Sequence, residues 1–298
     1  MLVLVAPGQG AQSPGFLSAW LELPGLAERL GAWSEVVGID LIAHGTTAGA
    51  DEIRDTAVAQ PLLVAAALAS AEALGVTPDL LAGHSVGEFA AAALARVLTH
   101  EQALTLVRER AQAMAKAAAV TETSMMAVLG GDEDEVLAGI ERHGLTPANR
   151  NGAGQIVVGG TKEQLTAFKE DAPARARMIS LSVAGAFHTV HMAPAVESLR
   201  EAARNVVPAD PRVTLLSNAD GRPVATGAAF VELLVKQVSS PVRWDACTET
   251  MTELGVTGMI ELLPGGTLTG LARRGMRGVR TVALKTPDDL DAARELIK

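Results

Sequence analysis

Short, largely apolar runs alternate along the chain with longer stretches in which apolar residues return every three or four positions. That alternation predicts an α/β protein built on a parallel sheet. Leu2 to Ala6 ends at Pro7-Gly8 and reads as a buried parallel strand, and Asp79 to Ala82, Arg212 to Leu216, Val256 to Leu262 and Val279 to Ala283 also read as strands. Helical spacing fills Phe16 to Gly49, with loops near Pro24 and Gly45. It returns in Ala57 to Ala73, where the start is predicted near Gln60-Pro61, since proline is tolerated in a first turn. That segment is almost all apolar from Leu62 to Ala69 and should be buried on more than one side. Further helices are predicted over Phe89 to Leu98, Pro194 to Asn205, Phe230 to Val238 and from Leu268 to Arg273. Thr99-His100-Glu101-Gln102 has the form of a capping box and opens a helix to about Ala118.

Between Thr123 and Val183 the rhythm changes. Met125 to Leu129, Thr146 to Arg150, Gln155 to Gly159 and Arg177 to Ser182 read as strands, the middle two joined by Asn151 to Gly154. Asp132 to His143 and Thr161 to Asp171 read as helices, the second with Thr161 as N-cap. Strand-helix-strand-strand-helix-strand is the split βαβ, ferredoxin-like order. The expected organisation is therefore a catalytic domain of residues 1–122 and 186–298 interrupted by a small subdomain at 123–185.

Composition narrows the classes. With 48% hydrophobic and 20% charged residues in 298, the chain is globular and long enough for a large core. A net charge of −9 without a basic tail gives no general footprint for nucleic acid. Cys247 is the single cysteine, so neither an internal disulfide nor a cysteine-rich metal site is expected, and no metal is assigned. Met1 to Pro7 is too short and lacks the basic leader of a signal peptide, and no uninterrupted apolar stretch approaches the ~20 residues of a membrane span. A cytoplasmic monomer away from membranes is the expectation. The chain has no tyrosine, so no tyrosine can serve as acid, base or oxyanion donor.

Three features carry chemistry. Gly83-His84-Ser85-Val86-Gly87 is a G-x-S-x-G match between a predicted strand and a predicted helix, the context that presents a serine on a strained elbow. The helix that follows aims its N-terminus at Ser85, where backbone N–H groups face a developing oxyanion. The alternative is a glycine-rich strand-to-helix turn with an incidental serine. Gly8-Gln9-Gly10-Ala11-Gln12 is a glycine loop able to approach a ligand, or a plain connection. Arg110 falls on the apolar face formed by Ala103, Leu106, Val107, Ala113 and Met114, where a guanidinium is costly unless an anion pairs with it. An internal carboxylate or snorkelling to solvent would satisfy it, and so would a substrate carboxylate held by two parallel hydrogen bonds. Of six histidines, His84 sits inside the elbow and should point away from the Ser85 side chain. His44, His100 and His143 look solvent-facing. His188 and His191 follow a predicted strand, and periodicity does not separate them.

Pro7-Gly8-Gln9-Gly10-Ala11-Gln12, Gly83-His84-Ser85-Val86-Gly87-Glu88, Arg110, Gly185-Ala186-Phe187-His188 and Pro264-Gly265-Gly266 stand in an order and spacing that closely resembles the malonyl-CoA:acyl carrier protein transacylases, end to end. The resemblance implies an α/β-hydrolase-like parallel-sheet core with an inserted ferredoxin-like subdomain. It implies ping-pong transfer of malonyl from malonyl-CoA to the phosphopantetheine thiol of acyl carrier protein, with malonyl-CoA as substrate and no cofactor. By residue-wise match Ser85 is the nucleophile, His188 the base and Arg110 the grip on the malonyl carboxylate. Gln9 and Val86 supply oxyanion N–H groups. Gln237 orients the histidine through its main-chain carbonyl. Phe187, Asn151 and His84 belong to the substrate pocket. The chain departs from the pattern at Gly266-Thr267, where a basic residue often follows Pro-Gly, which bears on a carrier or CoA contact and not on the chemistry. An acyltransferase of a polyketide pathway shares that chemistry. A serine thioesterase or hydrolase would share the elbow but has no use for a buried Arg110.

Overall fold

The computed structural model describes residues 1–296. Its strands are β1 (Leu2–Ala6), β2 (Leu80–Gly83), β3 (Thr123–Gly130), β4 (Thr146–Gly152), β5 (Gln155–Thr161), β6 (Ala176–Ser180), β7 (Thr214–Leu215), β8 (Val242–Arg243), β9 (Gly258–Glu261) and β10 (Arg280–Ala283). Its helices are α1 (Leu26–Val37), α2 (Leu41–Thr46), α3 (Thr56–Leu74), α4 (Gly87–Leu94), α5 (His100–Ala118), α6 (Glu133–Arg142), α7 (Lys162–Glu170), α8 (Ala193–Ala203), α9 (Gly227–Gln237), α10 (Trp244–Glu253), α11 (Thr267–Gly275) and α12 (Asp289–Glu295).

The strands form two sheets. The larger is all parallel, in the order β10-β9-β1-β2-β7. β1 and β2 are buried along their whole length, which is why they read as unbroken apolar runs and not as alternating ones. The register sets Ala6 beside Gly83 and Val5 beside Glu261, so β1, β2 and β9 end at one level. The loops leaving those carboxyl ends meet there, as ligand-binding loops do in open α/β sheets.

The helices that cover this sheet include α3, which packs against α4 and α5 and is buried nearly all round. By length and composition α3 is apolar enough to cross a membrane, although no such stretch was expected from the sequence. Here it is the central core helix. It begins a turn earlier than predicted, capped by Asp55 through the Ala57 N–H, so Pro61 lies inside the helix and not in its first turn. The Thr99 capping box of α5 forms, its side chain bonded to Gln102 N–H and Gln102 returning to Thr99 N–H. α4 ends at Leu94, short of the predicted Leu98. Arg96 turns left-handed (φ 65°), and Val97 and Leu98 bond back to the Ala92 carbonyl.

The smaller sheet runs β6-β3-β5-β4 antiparallel, the ferredoxin-like order, with α6 and α7 packed on one face. Alternation divides its residues. Met126, Val128, Ile156 and Val158 join Val136, Ile140, Leu165 and Phe168 in a core beneath those helices. Met125, Ala127 and Val157 turn the other way into the main core. A fifth strand, β8, arrives from residues 242–243 and pairs parallel with β4, Asn149 beside Val242. β8, α10 and α12 were not predicted. In α10 only Trp244, Cys247 and Met251 are buried, too thin a stripe for periodicity to reveal. The expectation that His44, His100 and His143 face solvent is corrected: all three are half-buried. His100 stands edge-on to Trp33 and His143 packs on Phe168, because the imidazole ring is apolar enough to cover an aromatic neighbour.

Candidate active site

β2 delivers Ser85 into a sharp elbow before α4. Ser85 has a left-handed backbone (φ 53°), a conformation that costs a non-glycine residue about 1–3 kcal/mol. The elbow closes only because its flanks are glycine. A Cβ on Gly83 would lie 2.0 Å from the Gly87 carbonyl carbon, and one on Gly87 would lie 2.2 Å from the Ala6 carbonyl oxygen. Asn218 clamps the turn from behind. Its Oδ1 accepts from Ser85 N–H (2.8 Å) and its Nδ2 donates to the Gly83 carbonyl (2.8 Å). The amide of Ser85 is thus engaged, whereas the N–H groups of Gln9 and Val86 have no acceptor among the described residues.

His188 is also left-handed (φ 60°) and lies 103 residues along the chain. Its Nε2 is 2.7 Å from Ser85 Oγ, and its Nδ1 is 2.8 Å from the Gln237 carbonyl. A carbonyl only accepts, so Nδ1 carries the proton and the Nε2 lone pair faces the serine hydroxyl. Burial, helped by the charge of Arg110, pushes the imidazole down to about 3, so it is neutral at physiological pH.

Arg110 is 1% exposed. Nη1 donates to Gln60 Oε1 (2.6 Å), and Nη2 donates to Gln237 Oε1 (2.9 Å) and to Ser85 Oγ (3.2 Å). Nε has no hydrogen bond, and the guanidinium lies over the Phe89 ring, 5.8 Å from its centre. Its polar partners are two amide oxygens and a hydroxyl. Glu88, fully buried nearby, does not touch it: its carboxyl, pushed up to about 8 by desolvation, accepts instead from the Asn218 N–H and from Gln237 Nε2. Among the described residues no carboxylate is in contact with this cation, nor does the cation reach solvent. Two of the three ways of satisfying it that the sequence leaves open are removed.

These groups open onto a cavity of about 530 Å³. Gln9, Ser85, Val86, Arg110, Phe187 and His188 line it from the parallel-sheet side, and Met125, Asn149, Asn151 and Val157 from the smaller sheet. His84 lines it too. Its ring turns toward the smaller sheet, with Nε2 2.9 Å from Asn151 Oδ1 and its edge against Trp244. Every predicted site residue converges here except Gln237, which stands behind the wall and touches both His188 and Arg110. His191 lines no part of it. Three participants escaped the sequence reading: Gln60, Glu88 and Asn218. A glutamine and a glutamate inside otherwise apolar helices were visible signals of buried polar roles, but Asn218 in a short loop gave none.

The model of the acyl transferase domain family matches residues 3–288. The malonyl CoA-acyl carrier protein transacylase of Mycobacterium tuberculosis (strain ATCC 25618 / H37Rv) is 51% identical over 302 residues, covering 99% of this chain and 100% of that protein. The crystal structure of MCAT from Mycobacterium tuberculosis superposes with a TM-score of 0.96 over 100% of both chains at 51% identity. A malonyl-transacylase solved in complex with a type II PKS acyl carrier protein gives a TM-score of 0.92 at 30% identity, over 99% of each chain. With a serine elbow, a neutral histidine and a buried guanidinium meeting on this fold, the chain belongs to the malonyl-CoA:acyl carrier protein transacylase family of acyltransferases.

Proposed function

We propose that this enzyme moves a malonyl group from malonyl-CoA to the phosphopantetheine thiol of acyl carrier protein through a malonyl ester on Ser85, supplying chain elongation in fatty-acid synthesis. The observation that carries the reading is Arg110, a buried cation whose hydrogen-bond partners are all uncharged, 3.2 Å from Ser85 Oγ. An acyl group with a free carboxylate pairs with that cation, and a planar guanidinium takes it bidentately.

In the first half-reaction His188 Nε2 accepts the Ser85 proton as Oγ attacks the thioester carbonyl. The Gln237 carbonyl holds the ring and takes part of the imidazolium charge. The oxyanion falls to the N–H groups of Gln9 and Val86, each such donor being worth about 3–4 kcal/mol in comparable acyl transfers. As the tetrahedral intermediate collapses, His188 returns the proton to the departing CoA sulfur. In the second half-reaction the carrier thiol gives its proton to His188 and attacks the malonyl ester, which restores Ser85. The malonyl carboxylate also helps the base, because pairing with Arg110 removes the charge that opposes imidazolium formation. The chemistry needs no cofactor. We read the enzyme as a cytoplasmic monomer, its one thiol, Cys247, buried and free.

Mass spectrometry of the intact protein after incubation with malonyl-CoA tests the reading: a persistent malonyl adduct on Ser85, discharged by carrier protein, is expected. Rapid hydrolysis without transfer would overturn it in favour of a hydrolase. The likeness to a transacylase bound to a polyketide carrier favours a second reading in which the acceptor belongs to polyketide synthesis, and competition between the two carrier types decides it.

A further inference from the structure

Glu88 stands at the second position of α4, three residues after Ser85, and is 1% exposed. Its Oε1 accepts from the Asn218 N–H (2.6 Å) and its Oε2 accepts from Gln237 Nε2. The other end of that carboxamide, Gln237 Oε1, accepts from Arg110 Nη2. One carboxamide thus separates a buried carboxyl from a buried guanidinium, and among the described residues neither group makes an ion pair. We propose that Glu88 and the carboxylate of the incoming acyl group compete for Arg110 across the Gln237 side chain, so that Glu88 is a proton-controlled positioning residue that selects carboxylated acyl donors. This rests on the malonyl reading above.

The reasoning is electrostatic. With Glu88 protonated, the positive charge of Arg110 is uncompensated, and the open side toward Ser85 is where an anion can reach it. With Glu88 ionised, guanidinium and carboxylate balance across Gln237, and a second anion in the cavity meets a site without net charge. Burial pushes the carboxyl up to about 8, while the N–H donors of Asn218 and Gln237 and the charge of Arg110 pull the other way. Other groups around Glu88 do not take over this role. His188 and His84 are kept neutral by burial, and the Cys247 thiol of α10 is pushed up and stays neutral. α3 and α9 contribute the uncharged Gln60 and Gln237, and β1 is wholly apolar. Above that pH, seating a malonyl carboxylate requires Glu88 to take up a proton from solvent, one per acyl group bound. An acetyl group, without the second carboxylate, imposes no such demand.

The test uses Ser85→Ala protein, which binds without turnover, titrated calorimetrically with malonyl-CoA and acetyl-CoA at several pH values in buffers of different ionisation enthalpy. Malonyl-CoA affinity should fall about tenfold from pH 7 to pH 9, as obligatory uptake of one proton by a group titrating near 8 requires. Proton uptake should approach one per malonyl bound at the upper end, while acetyl-CoA shows neither effect. Adding Glu88→Gln should flatten the malonyl profile. The proton-uptake measurement keeps native Glu88, so it stands even if that variant fails to fold. A preference for malonyl-CoA that is independent of pH, without proton uptake, would overturn the role of Glu88 and leave the malonyl reading intact. Equal binding of the two donors at every pH would overturn that reading and this inference with it.

Discussion

Each sheet region places an arginine whose Nε finds no hydrogen bond among the described residues, and their surroundings are opposite. Arg150, on β4 of the smaller sheet, pairs with Glu133 of α6, and its Nε lies 3.4 Å from Asp245 of α10. Its charge is matched within the chain, and it latches the smaller sheet to the catalytic half. Arg110, on α5 under the parallel sheet, has only glutamine oxygens and the serine hydroxyl. A buried charge left unmatched is costly, so it is kept where something from outside completes it. The contrast lies in partners as well as burial: Arg150 is half-buried and paired with carboxylates, and Arg110 is buried among uncharged groups.

The largest effect should come from the reaction centre that Arg110 serves. Ser85→Ala should abolish the malonyl adduct, a loss on the order of 10⁴–10⁶ in turnover, with the fold unchanged by circular dichroism. A variant that still takes up radiolabelled malonyl would remove Ser85 from the mechanism.

The two arginines can then be set against each other. Arg110→Ala should lower the preference for malonyl-CoA over acetyl-CoA by a factor corresponding to about 3–5 kcal/mol, and Arg110→Lys should restore little of it. Arg150→Ala should lower the melting temperature and leave that preference unmoved. If both variants shift the preference alike, the distinction drawn from their partners fails.

Phe187 tests the same wall at the scale of a methyl group. It lines the cavity beside His188, so a branched acyl group should meet its ring. Malonyl-CoA should outcompete methylmalonyl-CoA by about 10–200-fold, a gap that Phe187→Ser narrows. An unmoved ratio would assign the discrimination to another residue.

A smaller, salt-dependent effect is expected at the rim where the two regions meet. Arg273, Arg274, Arg277 and Arg280 are all exposed, none makes an ion pair among the described residues, and Arg274 reaches Gln155 of β5 (3.4 Å). Replacing Arg274 and Arg277 by Glu should raise KM for an acidic carrier at low salt by about tenfold and leave loading by malonyl-CoA unchanged. Equal carrier KM values in 20 mM and 500 mM salt would remove this surface from carrier docking.

The smallest effect should be the response to mild acid. The neutral form of a histidine depressed to about 3 persists well below the ordinary histidine range. kcat/KM for malonyl loading should therefore change by less than about twofold between pH 5 and pH 7, and fall only as pH approaches the depressed value. Half-loss near pH 6.5 would show that His188 is not held as described.

The sequence by itself determined the elements whose signal is local. Unbroken apolar runs marked the buried central strands β1 and β2, and Thr99 and Thr161 marked two helix starts through their own capping boxes. Gly83 and Gly87 fixed the elbow because no other residue fits there. The presence of Arg110 on an apolar face posed the right question, and resemblance to a family supplied His188 and Gln237, which periodicity did not reach. Tertiary structure alone decided what answers Arg110. Ser85 and His188 meet across 103 residues, and Gln237, contributed by α9, touches His188 through its backbone and Arg110 and Glu88 through its side chain. Asn218 grips the elbow from a distance of 133 residues in the chain. Whether a buried charge is matched depends on which distant groups arrive beside it, and the spacing of residues along a chain carries no record of that distance in space.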